Sequence, residues 1–166
     1  MKKNLDWLES EARANAAFHI ASADALCKES NTLLNILLGG AGGSLAYMAN
    51  LSAKAAANWQ IFGFGSTSVF LFIVAGLTVW KCLRVRPIMP PANEPIHLMR
   101  DGFDADAIRY SELKNKQACI DLNRARNDDV GFWLNLCRGL AACTPIIFAL
   151  AAWAAGGYLA CIDRAG

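Results

Sequence analysis

The chain has 166 residues, which is the size of one domain. Charged residues make up only 18% of it and hydrophobic residues 55%, whereas soluble domains average about a quarter charged. The net charge of +2 is too small to indicate a nucleic acid or an anionic surface as a partner, so we expect no direct binding of nucleic acid.

Long stretches without charge are the strongest signal in the sequence. Three windows lack Asp, Glu, Lys and Arg altogether: Thr32–Leu51, Trp59–Trp80 and Gly139–Ile162. A helix rises about 1.5 Å per residue and the hydrocarbon layer is about 30 Å thick, so about 20 apolar residues span it. This pattern excludes an ordinary soluble enzyme. It predicts an all-α integral membrane protein with three transmembrane helices and the lipid bilayer as its environment.

The predicted elements follow one another without a separate domain. They are a cytoplasmic helix over 1–31, a transmembrane hairpin over 32–83 with spans 32–51 and 59–83, a Pro-rich connector with a charged helix over 84–131, and a third transmembrane helix with a short outer tail over 132–166. We expect the two cytoplasmic helices to be continuous with spans one and three.

The first cytoplasmic helix is predicted from composition and spacing. The sequence has neither Gly nor Pro from Met1 to Leu38, and 5–29 is rich in Ala, Leu, Glu and Lys. Leu5, Leu8, Ala12 and Ala16 fall on one face. That face would lie on the membrane surface or pack against a partner helix.

The middle segment combines a stiff connector with a second helix. Four prolines between Pro87 and Pro95 favour an extended chain. Apolar residues then recur at helical spacing from Phe103 onwards. Tyr110 and Leu113 lie in this stripe and are our candidate partner-binding residues.

The Lys and Arg distribution predicts the orientation. Thirteen of the sixteen Lys and Arg residues lie in 1–31 and 81–131. The loop between spans one and two contains only Lys54, and the tail after span three contains only Arg164. Positively charged segments stay in the cytoplasm. We therefore expect a cytoplasmic N-terminus and an outer C-terminus in a bacterial inner membrane.

No residue pattern indicates catalysis. His19 and His97 have no Cys, Asp or Glu at metal-ligand spacing, and the six cysteines include no CxxC. The glycine run Gly39–Gly43 lacks the Lys of a phosphate-binding loop. We expect no enzyme activity and no catalytic, cofactor or metal site.

Small residues in the spans are candidate helix-packing positions. Gly39 and Gly43 form a GxxxG pair, and span three offers Ala152 and Gly156. Such residues let helix backbones approach closely. The contacts would lie either inside one chain or between copies in a homo-oligomer.

Polar residues in the spans are candidate pore or gate positions. Asn35, Asn135 and Arg138 fall at similar depth near the cytoplasmic boundary, and Pro145 would kink span three. Arg138 either extends its charge to the membrane surface or lines an aqueous lumen. In the second case, Ser44, Thr67 and Thr144 would continue the path outwards.

The layout resembles that of small bacterial membrane effectors of antiphage defence, of the SLATT type. The residues that carry this resemblance are Leu5–Glu29 leading into Thr32–Leu51, the turn Ser52–Asn58, Trp59–Trp80 and the helix Phe103–Val130. The third span departs from the two-span pattern of that family. The resemblance implies an oligomer that permeabilises the inner membrane when a soluble sensor or nuclease partner signals, without catalytic residues.

Three spans in a small chain also resemble phage holins, although their usual orientation is opposite. We therefore expect a non-enzymatic, oligomeric membrane effector that forms or gates a pore. The alternatives are a membrane anchor that recruits a cytoplasmic enzyme, or a holin-like protein.

Overall fold

The computed structural model describes residues 2–54, 58–90 and 104–165, with side chains within 4–54, 58–90 and 104–157. Every regular element in these ranges is helical, which confirms the all-α prediction. The elements are α1 (Lys2–Ala53), α2 (Asn58–Thr78), a π-helical segment (Val79–Leu83), α3 (Ala105–Ala142) and α4 (Thr144–Ala165). Phe103, Pro91 and Pro95, which entered the predictions for the middle segment, lie outside the described residues.

Two helices are long and apolar enough to cross a membrane. They are the helices that contain the first two charge-free windows, and a third crossing results if α3 and α4 together count as one span. The chain therefore has the helices of a membrane protein. The number of spans and their orientation remain predictions.

Helix α1 is uninterrupted from Lys2 to Ala53. This agrees with the expectation that the first cytoplasmic helix and the first span form one helix. Neither Gly nor Pro occurs before Gly39, and the glycines that follow occur inside the charge-free window. The helix ends where the Lys54 amide donates to the carbonyls of Asn50, at 3.3 Å, and Leu51, at 3.1 Å.

The predicted third span is not a single helix. Helix α3 ends at Ala142 and α4 begins at Thr144, with a bend of 42° between them. Pro145 has no N–H to donate to the Ala141 carbonyl, and the Thr144 hydroxyl donates to that carbonyl instead, at 2.6 Å. The kink expected at Pro145 is therefore present as a break at Cys143, and α3 and α4 supply a third span only if the bent pair is taken as one crossing.

The end of α2 also departs from regular α-helix. The Thr78 hydroxyl donates to the Val74 carbonyl, at 2.9 Å, and the π-helical segment Val79–Leu83 begins at the next residue. Arg84 then adopts an extended conformation with ψ of 128°, which starts the connector. Hydroxyl bonds of this kind compete with the helix's own backbone bonds.

The chain divides into two compact units. The first, here called the charged unit, comprises Met1–Lys28 and Val85–Gly131, and the second, the apolar unit, comprises Glu29–Arg84 and Phe132–Gly166.

Each unit has its own apolar centre. In the charged unit, Leu5, Ala16 and Ala23 of α1 and Ile120 and Val130 of α3 are buried. In the apolar unit the buried apolar positions come from α1, α2, the π-helical segment and α3: Leu33, Leu37, Ala41, Leu71, Val74, Ala75, Cys82, Leu134 and Cys137.

Candidate functional site

An ion cluster joins α1 and α3 near the N-terminal end of the charged unit. The Arg109 guanidinium donates to Glu9 Oε1, at 2.7 Å, and to the Asp6 carboxylate. Arg13 lies one turn from Glu9, at 3.8 Å. The hydrogen bond from Arg109 lowers the pKa of Glu9, and the two carboxylates raise the pKa of Arg109. Because the Glu9 pKa is lowered, this contribution to stability is present at neutral pH and is lost only in acid.

A second contact farther along the two helices shows how α1 and α3 are oriented relative to each other. The Asn127 amide donates to the His19 backbone carbonyl, at 2.8 Å. Residue numbers therefore rise together along α1 and α3, from Glu9 beside Arg109 to His19 beside Asn127, so the two helices of this unit are parallel. Asn127 Oδ1 is buried with no hydrogen-bond partner among the described residues.

A groove of about 590 Å³ runs along the surface between these two parallel helices. Tyr110 and Leu113, the predicted partner-binding residues, both line it. We call it the helix-pair groove, and its lining residues are Leu8, Glu11, Ala12, Ala14, Asn15, Phe18, Tyr110, Leu113, Lys114 and Gln117. Leu8, Phe18 and Tyr110 remain 44%, 65% and 57% exposed.

The described part of the connector is held along α3. Met89 makes two backbone hydrogen bonds with the Asn123 side chain, its amide donating to Oδ1 at 3.0 Å and its carbonyl accepting from Nδ2 at 3.1 Å. Arg86 also forms an ion pair with Asp129. The connector therefore runs antiparallel to α3, since 86 lies beside 129 and 89 beside 123. The sequence analysis missed both contacts.

The three polar residues predicted for a pore lie on the surface of the apolar unit. Asn35, Asn135 and Arg138 are all exposed. The Arg138 guanidinium donates to Glu29 Oε2, at 2.7 Å, and the two side chains are 47% and 53% exposed. Glu29 was missed as its partner, although it is the acidic residue that precedes span one most closely in the sequence.

The predicted outward continuation of that path is only partly compatible with the structure. Thr67 is buried inside the apolar unit, so it cannot line a path on the unit's surface. The Thr144 hydroxyl bonds to its own chain at Ala141. Ser44 is half-buried, and Pro145, the predicted gate residue, is exposed two residues after the helix break at Cys143.

Close helix contacts in the apolar unit occur at glycines other than the predicted ones. A Cβ on Gly63 would lie 2.6 Å from Phe148 Cε2, which brings α2 and α4 together, and a Cβ on Gly65 would lie 2.9 Å from Met48 Sδ. By contrast, open space lies where Gly39 and Gly43 would carry a Cβ.

The other two predicted packing positions lie in α4. Gly156 has the same open space as Gly39, and Ala152 is half-buried. Helices α1 and α2 also share a polar contact in this unit, because Ser68 Oγ donates to the buried Ala41 carbonyl at 2.8 Å. Whether Gly39, Gly43 and Gly156 pack between copies remains a prediction.

Among the described residues, no group of three His, Cys, Asp or Glu side chains could hold a metal ion. Five cysteines in those residues form no disulfide, and two of them, Cys82 and Cys137, are buried. Comparison with known proteins adds no assignment: no family model, curated protein sequence or solved structure matches the chain.

Proposed function

We propose that the protein is a non-enzymatic membrane effector that assembles from several copies and permeabilises the bilayer. Its N-terminus would be cytoplasmic, its C-terminus outside, and its location the inner membrane of a bacterium. Asn35, Asn135, Arg138 and the newly found Glu29 would form the cytoplasmic mouth of the path.

The observation that carries this proposal is the exposure of polar side chains on the apolar unit. Asn35 and Asn135 are exposed, although they lie in or beside apolar helical segments. Polar side chains in membrane helices normally face other helices or water-filled cavities rather than lipid. A neighbouring copy or an aqueous path would surround these amides with polar partners instead of lipid.

The ion pair between Arg138 and Glu29 supports the same assignment. Charges at membrane depth are costly and are usually paired with one another. Both side chains remain about half exposed, so the pair is accessible from outside the unit. A charged, accessible pair on the same unit as two exposed amides would provide a hydrated entrance for ions.

The test is membrane potential and dye entry in cells that express the protein with its trigger. Arg138→Leu should abolish depolarisation, because it removes the charge and leaves Glu29 without this arginine. Arg138→Lys should keep part of it, since Lys also carries the charge on a long stem. A flat membrane potential in the triggered wild type would contradict the proposal.

Arg124→Leu is the matched control. Arg124 is an exposed arginine of the charged unit that pairs only loosely with Asp128, at 3.9 Å. This variant should depolarise cells like the wild type. Membrane fractionation of all variants must show equal insertion, so that loss of signal reports the path rather than loss of protein.

A second candidate function is a membrane anchor for a cytoplasmic enzyme, and the helix-pair groove is the observation that favours it. Exposed Tyr110 and half-buried Leu113 could receive a soluble partner there. An anchor predicts no depolarisation under any trigger and loss of partner binding in Leu113→Asp.

The biological setting is proposed from the layout resemblance to antiphage effectors. In that setting a soluble sensor or nuclease encoded beside this chain would supply the trigger. Sequencing the flanking genes tests this directly, since a nuclease, reverse transcriptase or nucleotide cyclase is expected among them.

A further inference from the structure

We infer that the helix-pair groove is an interface between two copies of this chain, in which Glu11 of one copy meets Lys114 of the other. The inference rests on the proposed function for the existence of an assembly, and it names the surface outside the predicted spans through which copies recognise each other.

The relief of the groove suits packing against the helices of another copy. Its α1 side extends from Leu8 to Phe18, a rise of about 15 Å at about 1.5 Å per residue. These two large side chains flank the small Ala12 and Ala14. Large residues beside small ones form ridges and gaps, into which the side chains of a neighbouring helix fit. The axes of helices packed in this way lie about 8–10 Å apart.

The charges of the groove favour a second copy over an unrelated helix. Glu11 comes from α1 and Lys114 from α3, so each side of the groove carries one charge of opposite sign. Because the two helices are parallel, a two-fold axis along them places α1 of one copy beside α3 of the other at the same level. Each Glu11 then faces the other copy's Lys114, and the contact occurs twice, as in any isologous interface.

Both charges are available for such a contact. Glu11 and Lys114 are exposed, and the ion pairs described between α1 and α3 of this unit use Asp6, Glu9 and Arg109 instead. The Lys114 ammonium lies 4.9 Å from the centroid of the Tyr110 ring, another residue of the groove. This contact keeps the cation beside the apolar surface rather than extended into solvent.

The first experiment locates the contact in the unmodified protein. Full-length chains labelled with ¹⁴N and ¹⁵N are expressed in separate cultures, extracted in mild detergent, mixed until copies exchange, and treated with a carbodiimide, which condenses a carboxylate with an adjacent amine. We expect a Glu11–Lys114 cross-linked peptide whose two halves carry different isotopes. A cross-link found only within one isotope, or no cross-link, would overturn the inference.

The second experiment separates contacts between copies from contacts inside one chain. Glu11→Lys alone and Lys114→Glu alone should each lose the hybrid cross-link, because like charges then face each other in every pair. Co-expression of the two variants should restore it, since the introduced lysine of one variant meets the introduced glutamate of the other. Restoration by mixing cannot arise from a contact within one chain, because each chain still carries two like charges. Failure to restore it would count against the interface.

The exposed pair Arg124 and Asp128 supplies the control. Arg124→Glu changes the charge of α3 by the same amount outside the groove, and it should leave the wild-type cross-link unchanged. If a foreign protein, rather than a second copy, is cross-linked at Lys114, the groove belongs to the anchor function and the inference is wrong.

The outcome also distinguishes this inference from the proposed function. A hybrid cross-link without any depolarisation would support the interface between copies and contradict the proposed pore. If depolarisation depends on Arg138 but no hybrid cross-link forms, the pore is supported and this interface is contradicted.

Discussion

Gly63 and Gly39 lie in two apolar helices, but only Gly63 has a neighbour in the place where a side chain would be. The Phe148 ring closes that space, and the same ring stacks edge-on with Phe64 at 5.0 Å between centroids. Gly39 and Gly43 meet open space. Spacing alone made the GxxxG pair the better candidate for close packing, whereas the position of Phe148 depends on the fold.

These two kinds of glycine should respond differently to the same substitution. Gly63→Leu should lower the stability of the chain by about 1–3 kcal/mol, because the added atoms overlap the Phe148 ring. Gly39→Leu combined with Gly43→Leu should leave that stability nearly unchanged and weaken homo-oligomers, because the leucines project from the single chain. Denaturation in detergent micelles and native mass spectrometry measure the two effects.

If the oligomer is unchanged in the variant that combines Gly39→Leu and Gly43→Leu, the two glycines do not form a contact between copies. A large loss of monomer stability in the same variant would mean that these glycines pack inside the chain after all. Helix content by circular dichroism serves as the control for insertion and folding.

At the scale of elements, the connector is held more firmly than its composition predicts. Proline content indicated a stiff, extended segment, and the structure adds that Asn123 holds the Met89 backbone at two points. An amide side chain can do this because it carries one acceptor and one donor side by side. Asn123 is itself buried, so its polar atoms need these partners.

Asn123→Ala should therefore release the connector. Trypsin cleavage after Arg84 should become about tenfold faster, which corresponds to about 1.4 kcal/mol of lost protection. Asn115→Ala is the control, because Asn115 is exposed and its bond to Glu112 on its own helix is 3.5 Å long. Equal cleavage rates in the two variants would show that Asn123 does not fix the connector.

Sequence patterns predicted the helices well where the cause is local. The lack of Gly and Pro before Gly39 predicted one long helix, and Pro145 predicted the kink within one or two residues of the break at Cys143. The π-helical segment after Thr78 was not predicted, since a hydroxyl bond to Val74 is compatible with an unbroken helix as well. The docked connector was missed because Met89 and Asn123 are 34 residues apart.

At the scale of the whole molecule, the distribution of Lys and Arg predicts which segments of the chain lie in the cytoplasm. A reporter inserted at Asn93 should be cytoplasmic and one fused after Gly166 should be outside, because thirteen Lys and Arg lie in 1–31 and 81–131. Protease protection or a dual phosphatase and fluorescence reporter measures both. Reporters on the same side would contradict three spans and favour two.

The candidate sites depend on pairs that no local pattern reveals. Arg138 was recognised as the charge nearest a span, but its partner Glu29 lies 109 residues away in sequence. Tyr110 and Leu113 were chosen from one helical stripe, while the other wall of the groove comes from Leu8 to Phe18. Periodicity identifies the face of one helix, and the partner face requires the tertiary structure.

The pairing of α1 with α3, which are far apart in the sequence, also fixes an order of events during synthesis. Glu9 leaves the ribosome 100 residues before Arg109, an interval of about 5–20 s at about 5–20 residues per second. Throughout that time the α1 positions that later become the centre of the charged unit, Leu5 and Ala16 among them, lack their α3 neighbours. We therefore expect a chaperone, the membrane surface or a neighbouring nascent chain to cover these positions during that interval. Codons that slow translation between 58 and 104 should increase aggregation of this protein more than the same pauses placed after residue 131.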